Sequence, residues 1–188
     1  MVVGHMSRIP ILTRDQAPAA SQAKLDALRE ELGFVPNVFR IAAHSPHALA
    51  GLSALHGAVR GALDPKLREQ IALAVSHVNG SRYCLSAHTY WGRRRGLASE
   101  EMALNRQGKA TDARANAVVC FAAKVAESRG DVDDRDIESV RAAGFSDAEI
   151  LELVATSVYY LFTNFINNVL KTDIDPEFAS DEALRHGP

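Results

Sequence analysis

The chain has 188 residues, of which 47% are hydrophobic and 23% are charged, and its formal net charge is -2. This length and balance indicate one soluble globular domain with a buried core, and they exclude a disordered chain and a strongly basic nucleic-acid-binding protein. Its two cysteines, Cys84 and Cys120, are too few for a disulfide-stapled secreted scaffold or an all-cysteine zinc site.

The first 80 residues predict four helices, because apolar residues recur at helical spacing between recognisable start and stop signals. The starts are capping residues, and two of them are followed by proline at the first helical position. The predicted helices span residues 19–33, then begin at Asn37, at Ser45-Pro46, and at Asp64-Pro65 with a stop at Asn79-Gly80.

The rest of the chain also predicts helices. Ser146, followed three residues later by Glu149, fits a capping box in front of the longest apolar helix. No segment alternates polar and apolar residues with a period of two, so we expect no sheet. These helices start near Ser81, Ser99, Thr111-Asp112, Asp133 or Asp134, and Asp147, and the last runs to Leu170. The predicted fold class is all-α, a compact multi-helix domain.

The chain ends and the apolar segments bear on location. The first residues lack the basic start, apolar core and cleavage site of a secretory signal. Gly4-His5-Met6 is typical of a cloning scar, so we expect residues 1–6 to be a disordered or tag-derived terminus and residues 7–188 to be a single domain. Residues 150–170 carry a glutamate and three asparagines, too many polar groups for a membrane span. We therefore expect a cytoplasmic protein without membrane or nucleic-acid partners.

Residues 69–88 hold the densest cluster of reactive side chains. Cys84 falls in the first turn of the helix that starts at Ser81, where unpaired N–H groups and the helix dipole favour a thiolate and lower the thiol pKa. His88 follows four residues later on the same helical face. Glu69, on the preceding helix of the hairpin, can orient or protonate His88. The sequence thus predicts a carboxylate–imidazole–thiol relay.

Two other interpretations of the same cluster stay open. Cys84 can be a buried apolar cysteine without a chemical role. Zinc is a second possibility, because the cluster holds residue types that ligate this metal. However, a cysteine–histidine pair at four-residue spacing supplies only two ligands and no second signature pair, so we expect no metal. The residues considered were Glu69, His77, Cys84 and His88.

The neighbours of this cluster are assigned structural roles. Tyr83, Tyr90 and Trp91 are predicted to form core or cavity wall, and the three arginines at 93–95 a solvated helix end, where cations suit the dipole. The chain has no glycine-rich phosphate loop, so we expect no flavin or nicotinamide cofactor.

The cluster resembles the core of the AhpD-like alkylhydroperoxidases, within the carboxymuconolactone decarboxylase superfamily. That family carries a glutamate, twelve residues later the motif C-x-x-C, and a histidine four residues after the second cysteine. Glu69, Ser81, Cys84 and His88 fall in this register. Residues 164–177 also resemble the ending of the peroxidase-related branch of the superfamily.

The resemblance implies a thiol peroxidase that needs no cofactor. In the family, the second cysteine attacks a hydroperoxide and becomes a sulfenic acid, and the first cysteine resolves it as a disulfide. Carried over, Cys84 is the peroxidatic nucleophile, His88 the activating base and Glu69 the orienting carboxylate, with Tyr83 as a wall or hydrogen-bonding residue and His77 nearby in support. The family also implies a homo-oligomer, either a dimer, a trimer or a hexamer.

The chain departs from the family at the resolving position, which is Ser81. Serine can cap the helix and donate a hydrogen bond to a Cys84 thiolate, but it cannot form a disulfide. The other thiol, Cys120, lies among apolar residues and is predicted to be buried. The resemblance therefore favours a one-cysteine cycle, in which an external thiol or a protein reductant restores Cys84.

Two further functions remain as alternatives. One is a decarboxylase or isomerase of a small acid, in which His88 and Glu69 transfer protons and Cys84 is incidental. The other is a non-catalytic helical module that serves as a sensor or an assembly subunit. Loss of activity on thiol alkylation separates the first alternative from a peroxidase, and slow thiol reactivity is expected for the second.

Overall fold

The computed structural model describes residues 7–179, and this part of the chain forms ten α-helices and no strands, which confirms the all-α prediction. Residues 1–6, for which a disordered or tag-derived terminus is predicted, lie outside the described residues. The helices are α1 (Ala19–Leu32), α2 (Asn37–Ala42), α3 (Pro46–Ala62), α4 (Pro65–Val78), α5 (Arg82–Arg94), α6 (Ser99–Arg106), α7 (Ala113–Ser128), α8 (Asp134–Ala142), α9 (Asp147–Leu170) and α10 (Pro176–Ala179).

Local capping explains several helix starts. Ser45 and Asp112 each accept a hydrogen bond from the backbone N–H three residues on, at the starts of α3 and α7. Asp64 does the same for two N–H groups at the start of α4. Ser146 and Glu149 form the predicted capping box in front of α9. These contacts lie within one helical turn, so neighbouring residues suffice to place them.

Helix α4 is the centre of the fold. It packs against α5, α6, α7 and α9, and every residue from 67 to 76 is buried. The turn after it reverses the chain at Gly80, which has a positive φ of 59° that glycine adopts at little cost. Helix α5 then runs back along α4, so residues of both helices face a common space.

Helix α9 has 24 residues and is therefore about 36 Å long. Its buried side carries several polar side chains, among them Thr156, Asn164 and Asn167. Its outer side carries five large apolar residues that are exposed, which we call the α9 stripe: Leu151, Val158, Phe162, Phe165 and Val169. Within residues 7–179, no helix combines the length and the apolar character needed to cross a membrane.

A short helix, α10, follows α9 and is absent from the sequence-based prediction. Asp175, which precedes it, is buried and accepts hydrogen bonds from the hydroxyl of Tyr83 at 2.6 Å and from the backbone N–H of Asn37 at 3.0 Å. Burial raises the pKa of Asp175 to about 6. This carboxyl group ties the end of the described chain to α2 and α5.

Candidate active site

A cavity of about 120 Å³ lies among α2, α3, α4, α5 and α9. Glu69 reaches it from α4, and Tyr83, Cys84 and His88 reach it from α5, so four residues singled out from the sequence share this space. The wall is largely aromatic and aliphatic, and it includes Phe39, Val59, Trp91, Tyr159 and Tyr160.

Cys84 lies in the first turn of α5 and is only 2% exposed. Its sulfur accepts a hydrogen bond from Nδ2 of Asn167 at 3.2 Å. Burial raises the pKa of the Cys84 thiol, and the surrounding polar side chains, which act in the opposite direction, do not outweigh it. The predicted lowering of this pKa is therefore wrong, because desolvation of the buried thiol is the largest cause of the shift and raises the pKa.

Ser81 occupies the N-cap position of α5 and is completely buried. Its side chain caps no backbone N–H group, so the expected capping role is wrong. The hydroxyl lies close enough to the Cys84 sulfur to favour the thiolate, but its geometry falls short of a normal hydrogen bond. A buried hydroxyl thus stands beside the thiol at the position where the family carries its resolving cysteine.

The Glu69 carboxylate is buried and joins two cationic or ionisable partners. Its Oε2 lies 2.8 Å from Nδ1 of His88, and its Oε1 accepts a hydrogen bond from Nε of Arg95 at 2.8 Å. A carboxylate at Nδ1 selects the imidazole tautomer with its proton there, which leaves Nε2 free to accept a proton. The ring of His88 also packs edge-on against Tyr160, with the ring centroids 4.9 Å apart.

Arg95 refines one of the predictions. The arginines at 93–95 are expected to be a solvated helix end; Arg95 stays exposed, but it also lines the cavity and pairs with Glu69. Helix α5 ends at Arg94, and its packing on α4 brings Arg95 within hydrogen-bond distance of Glu69. Helical periodicity along the sequence does not contain that information.

Several other polar and aromatic residues that line the cavity are missed by sequence reasoning, among them His56, Arg68, Tyr159, Tyr160 and Asn167. The asparagine had a usable signal, because an amide inside the apolar pattern of α9 needs a buried hydrogen-bond partner. The histidine and the tyrosines had none, because both types also occur in ordinary cores.

Two predicted residues lie elsewhere. His77 is exposed in the last turn of α4 and does not line the cavity, so a supporting role there is not favoured by the geometry. Cys120 is exposed on α7, and its thiol donates to the carbonyl of Gly108 at 3.0 Å. The predicted burial of Cys120 is wrong: its neighbours Val119 and Phe121 are buried, but Cys120 itself is exposed.

The arrangement suits nucleophilic chemistry by sulfur. A buried thiol, an imidazole with one free nitrogen and a carboxylate that holds the imidazole are the parts of a general-base-assisted nucleophile. In the part of the chain that the structure describes, no three His, Cys, Asp or Glu side chains are grouped as a metal ion would require.

Comparison with known proteins gives three similar structures and one family. Residues 46–128 match the carboxymuconolactone decarboxylase family. A peroxidase-related protein with an alkylhydroperoxidase AhpD core, from Ralstonia eutropha JMP134, is 30% identical, and the match covers 92% of this chain and 94% of that chain with a TM-score of 0.80. A peroxidase-related protein from a Silicibacter species is 24% identical, with coverage of 94% and 96% and a TM-score of 0.80.

The third similar structure is that of a debrominase in complex with 2,3,4-tribromopyrrole. It is 18% identical, with coverage of 97% of this chain and 98% of that chain and a TM-score of 0.80. At this identity the likeness concerns the fold alone. No curated protein matches the sequence significantly.

Proposed function

Because the chain belongs to the AhpD-like carboxymuconolactone decarboxylase superfamily, we propose that it is a thiol-dependent alkyl hydroperoxide reductase. The observation that carries this proposal is the convergence of Glu69, Cys84 and His88 on one cavity, in the register of the family motif. The peroxidase-related proteins of similar structure support the same choice.

In the proposed cycle, Nε2 of His88 removes the proton of the Cys84 thiol, and the sulfur attacks the terminal oxygen of the hydroperoxide. The O–O bond breaks, the thiolate becomes a sulfenic acid, and the alkoxide takes the proton from His88 and leaves as an alcohol. Glu69 holds the imidazole and stabilises its protonated form. Arg95 in turn fixes the carboxylate of Glu69.

A base is needed because the thiol is not ionised by its surroundings. Burial raises the pKa of Cys84, so the thiol form dominates at neutral pH. Asn167 donates to the sulfur and stabilises the thiolate once the proton has left. Catalysis therefore depends on proton transfer within the cavity rather than on a permanently charged cysteine.

The return half of the cycle uses thiols from outside the chain. Ser81 has no sulfur, and Cys120 lies on the surface away from the cavity. One external thiol condenses with the sulfenic acid to a mixed disulfide and water. A second external thiol displaces Cys84 as a thiol and leaves as a disulfide with the first. The reductant is thus a small thiol or a partner protein with a reactive cysteine.

Cys84→Ser tests the proposal most directly. We expect the parent protein to consume cumene hydroperoxide in the presence of dithiothreitol, Cys84→Ser to lose this activity, and the matched control Cys120→Ser to keep it. One equivalent of hydroperoxide with a sulfenate trap should label Cys84 alone by mass spectrometry. Parent-level turnover by Cys84→Ser would falsify the proposal, and a Cys84–Cys120 disulfide would contradict the external reductant.

A second candidate is thiol-dependent reductive debromination, favoured by a solitary thiol facing an aromatic wall and by the shared fold with a debrominase. Here Cys84 takes a bromine from the ring as a sulfenyl bromide while the ring carbon takes a proton. One external thiol then releases bromide and a second frees Cys84. Bromide release from 2,3,4-tribromopyrrole with no hydroperoxide consumption would favour this candidate.

Activity on a small acid that survives thiol alkylation but not His88→Ala would favour the decarboxylase or isomerase.

A further inference from the structure

Arg68 is a buried cation whose role is not explained by the relay. It lies on α4 next to Glu69, lines the cavity and is only 7% exposed. Its Nε atom is buried and makes no hydrogen bond. No carboxylate of residues 7–179 lies within ion-pair distance of its guanidinium; the adjacent Glu69 binds His88 and Arg95 instead.

The other arginines of the cavity are compensated. Arg95 pairs with Glu69, and Arg60 pairs with Glu31. A guanidinium stays protonated at all relevant pH values, and burying it without a counter-ion is costly. The positive charge of Arg68 also acts on His56, on the preceding helix. Burial is the largest cause of the lowered pKa of His56, and the charge of Arg68 is the next largest. The cavity thus carries one positive charge for which the described residues offer no anion.

The Cys84 thiolate is not the missing anion. The sulfur accepts a hydrogen bond from Asn167. The pKa of Cys84 is set chiefly by burial and by hydrogen bonds from neutral side chains, and Arg68 is not among its main causes. Arg68 and Cys84 therefore address different parts of whatever enters the cavity. A ligand that meets both must carry a reactive group for sulfur and, separately, an anionic group for the guanidinium.

We propose that Arg68 binds a carboxylate of the substrate, so that the cavity accepts organic hydroperoxides that carry a carboxylic acid. The planar guanidinium donates two parallel hydrogen bonds to a carboxylate. The apolar wall then holds the hydrocarbon part between the acid and the hydroperoxide. This substrate class rests on the proposed peroxidase function, whereas the anion-binding site itself does not.

Binding can be measured without catalysis. Trp91 is the single tryptophan of the chain and lines the cavity, so its fluorescence reports occupancy. We expect the parent protein to bind benzoate about tenfold or more tightly than benzamide, which has nearly the same shape but no charge. Arg68→Gln should abolish this preference and Arg68→Lys should retain part of it. Arg114→Gln, a change at a surface arginine on α7, should leave it intact.

Equal binding of benzoate and benzamide to the parent protein overturns the proposal, and so does a benzoate preference that persists in Arg68→Gln. Circular dichroism verifies that Arg68→Gln is folded. If it is not, the parent comparison and Arg68→Lys still decide, because a preference that Arg68→Lys leaves undiminished excludes a bidentate contact with the guanidinium.

Turnover then separates the anion site from the peroxidase function. We expect the kcat/KM of the parent protein to be about tenfold higher for para-carboxycumene hydroperoxide than for its methyl ester, and the two values to converge in Arg68→Gln. Benzoate binding that depends on Arg68 without reduction of either hydroperoxide refutes the peroxidase function and leaves the anion site standing. Reduction of both at equal rates by the parent protein refutes the substrate class.

Discussion

Nδ1 of His88 lies 2.8 Å from Oε2 of Glu69, across the hairpin that joins α4 and α5. The two residues are 19 positions apart, so this contact depends on the packing of the two helices. It sets the proton on one imidazole nitrogen and presents the other to the cavity. Among the contacts at the site, this one has the most direct consequence for proton transfer.

Glu69→Gln should lower kcat/KM for hydroperoxide about 10²- to 10³-fold, because glutamine neither selects the imidazole tautomer nor stabilises its protonated form. The rate is measured as hydroperoxide consumption with excess thiol. Glu100→Gln, at an exposed position of α6, is the matched control and should retain the parent rate. Parent-level activity of Glu69→Gln would show that the carboxylate has no part in proton transfer.

Asn167→Leu should slow the reaction of Cys84 with electrophiles about tenfold at neutral pH. Without the amide that donates to the sulfur, the pKa of the thiol rises further and less thiolate is present. Leucine has the same branching and the same number of side-chain heavy atoms as asparagine but makes no hydrogen bond. The measurement is alkylation of Cys84 by iodoacetamide as a function of pH, with Cys120 as the internal reference. An unchanged pH profile for Cys84 would mean that the amide does not stabilise the thiolate.

Two buried groups give opposing contributions to stability between about pH 4 and pH 6. Burial raises the pKa of Asp175 from 3.8 to about 6, so its contribution is present at low pH and is lost as the pH rises through 6. Burial lowers the pKa of His56 from 6.5 to about 4, so its contribution is present above pH 6.5 and is lost as the pH falls through 4. Each effect amounts to about 3 kcal/mol, and they largely cancel.

Single substitutions should reveal the two slopes. In Asp175→Asn, the free energy of unfolding should fall more steeply than in the parent protein as the pH drops from 6.5 to 4, because the His56 contribution acts alone. In His56→Gln the pH dependence should change in the opposite sense. Urea denaturation across this range measures both. Identical pH dependence in the parent protein and both variants would contradict the assigned pKa shifts.

The α9 stripe favours self-association, because its five exposed apolar residues recur at helical spacing along one side of a single helix. We expect the protein to form a homo-oligomer through this face. Phe165→Glu should shift the sedimentation coefficient to that of a smaller species, whereas Ser139→Glu, which adds the same charge on exposed α8, should not. A monomeric parent protein at micromolar concentration would exclude this role for the stripe.

Helix boundaries were predictable from the sequence because their causes are local. Asp64 with the following proline and Ser146 with Glu149 act within one turn, and the structure has both starts where they are predicted. The short α10 was not predictable in this way. Its anchor, Asp175, meets Tyr83 from 92 positions along the chain, and nothing next to Asp175 in the sequence indicates that partner.

The site was predictable where one helix or one hairpin sets it. The spacing of Cys84 and His88 predicts that they share one face of α5, and the hairpin predicts that Glu69 can approach that face. Whether Arg68 lines the cavity depends on which face of α4 meets it. The thiol pKa was predicted in the wrong direction because the first turn of a helix can be identified from sequence, but the degree of desolvation depends on every helix that covers it. Cys120 was misplaced for the same reason, since its exposure depends on how α7 is rotated.

The near-complete burial of Cys84 constrains the order of events in time. Since the sulfur is reached through the cavity, hydroperoxide and reducing thiol must occupy the same space in turn, and the alcohol must depart before the thiol enters. The proposed cycle then follows double-displacement kinetics, with parallel lines in double-reciprocal plots and competition between the two substrates at high concentration. A reductant is therefore selected by its steric access to the cavity as well as by its reduction potential. A small thiol can enter the cavity, whereas a cysteine on a flat protein surface cannot.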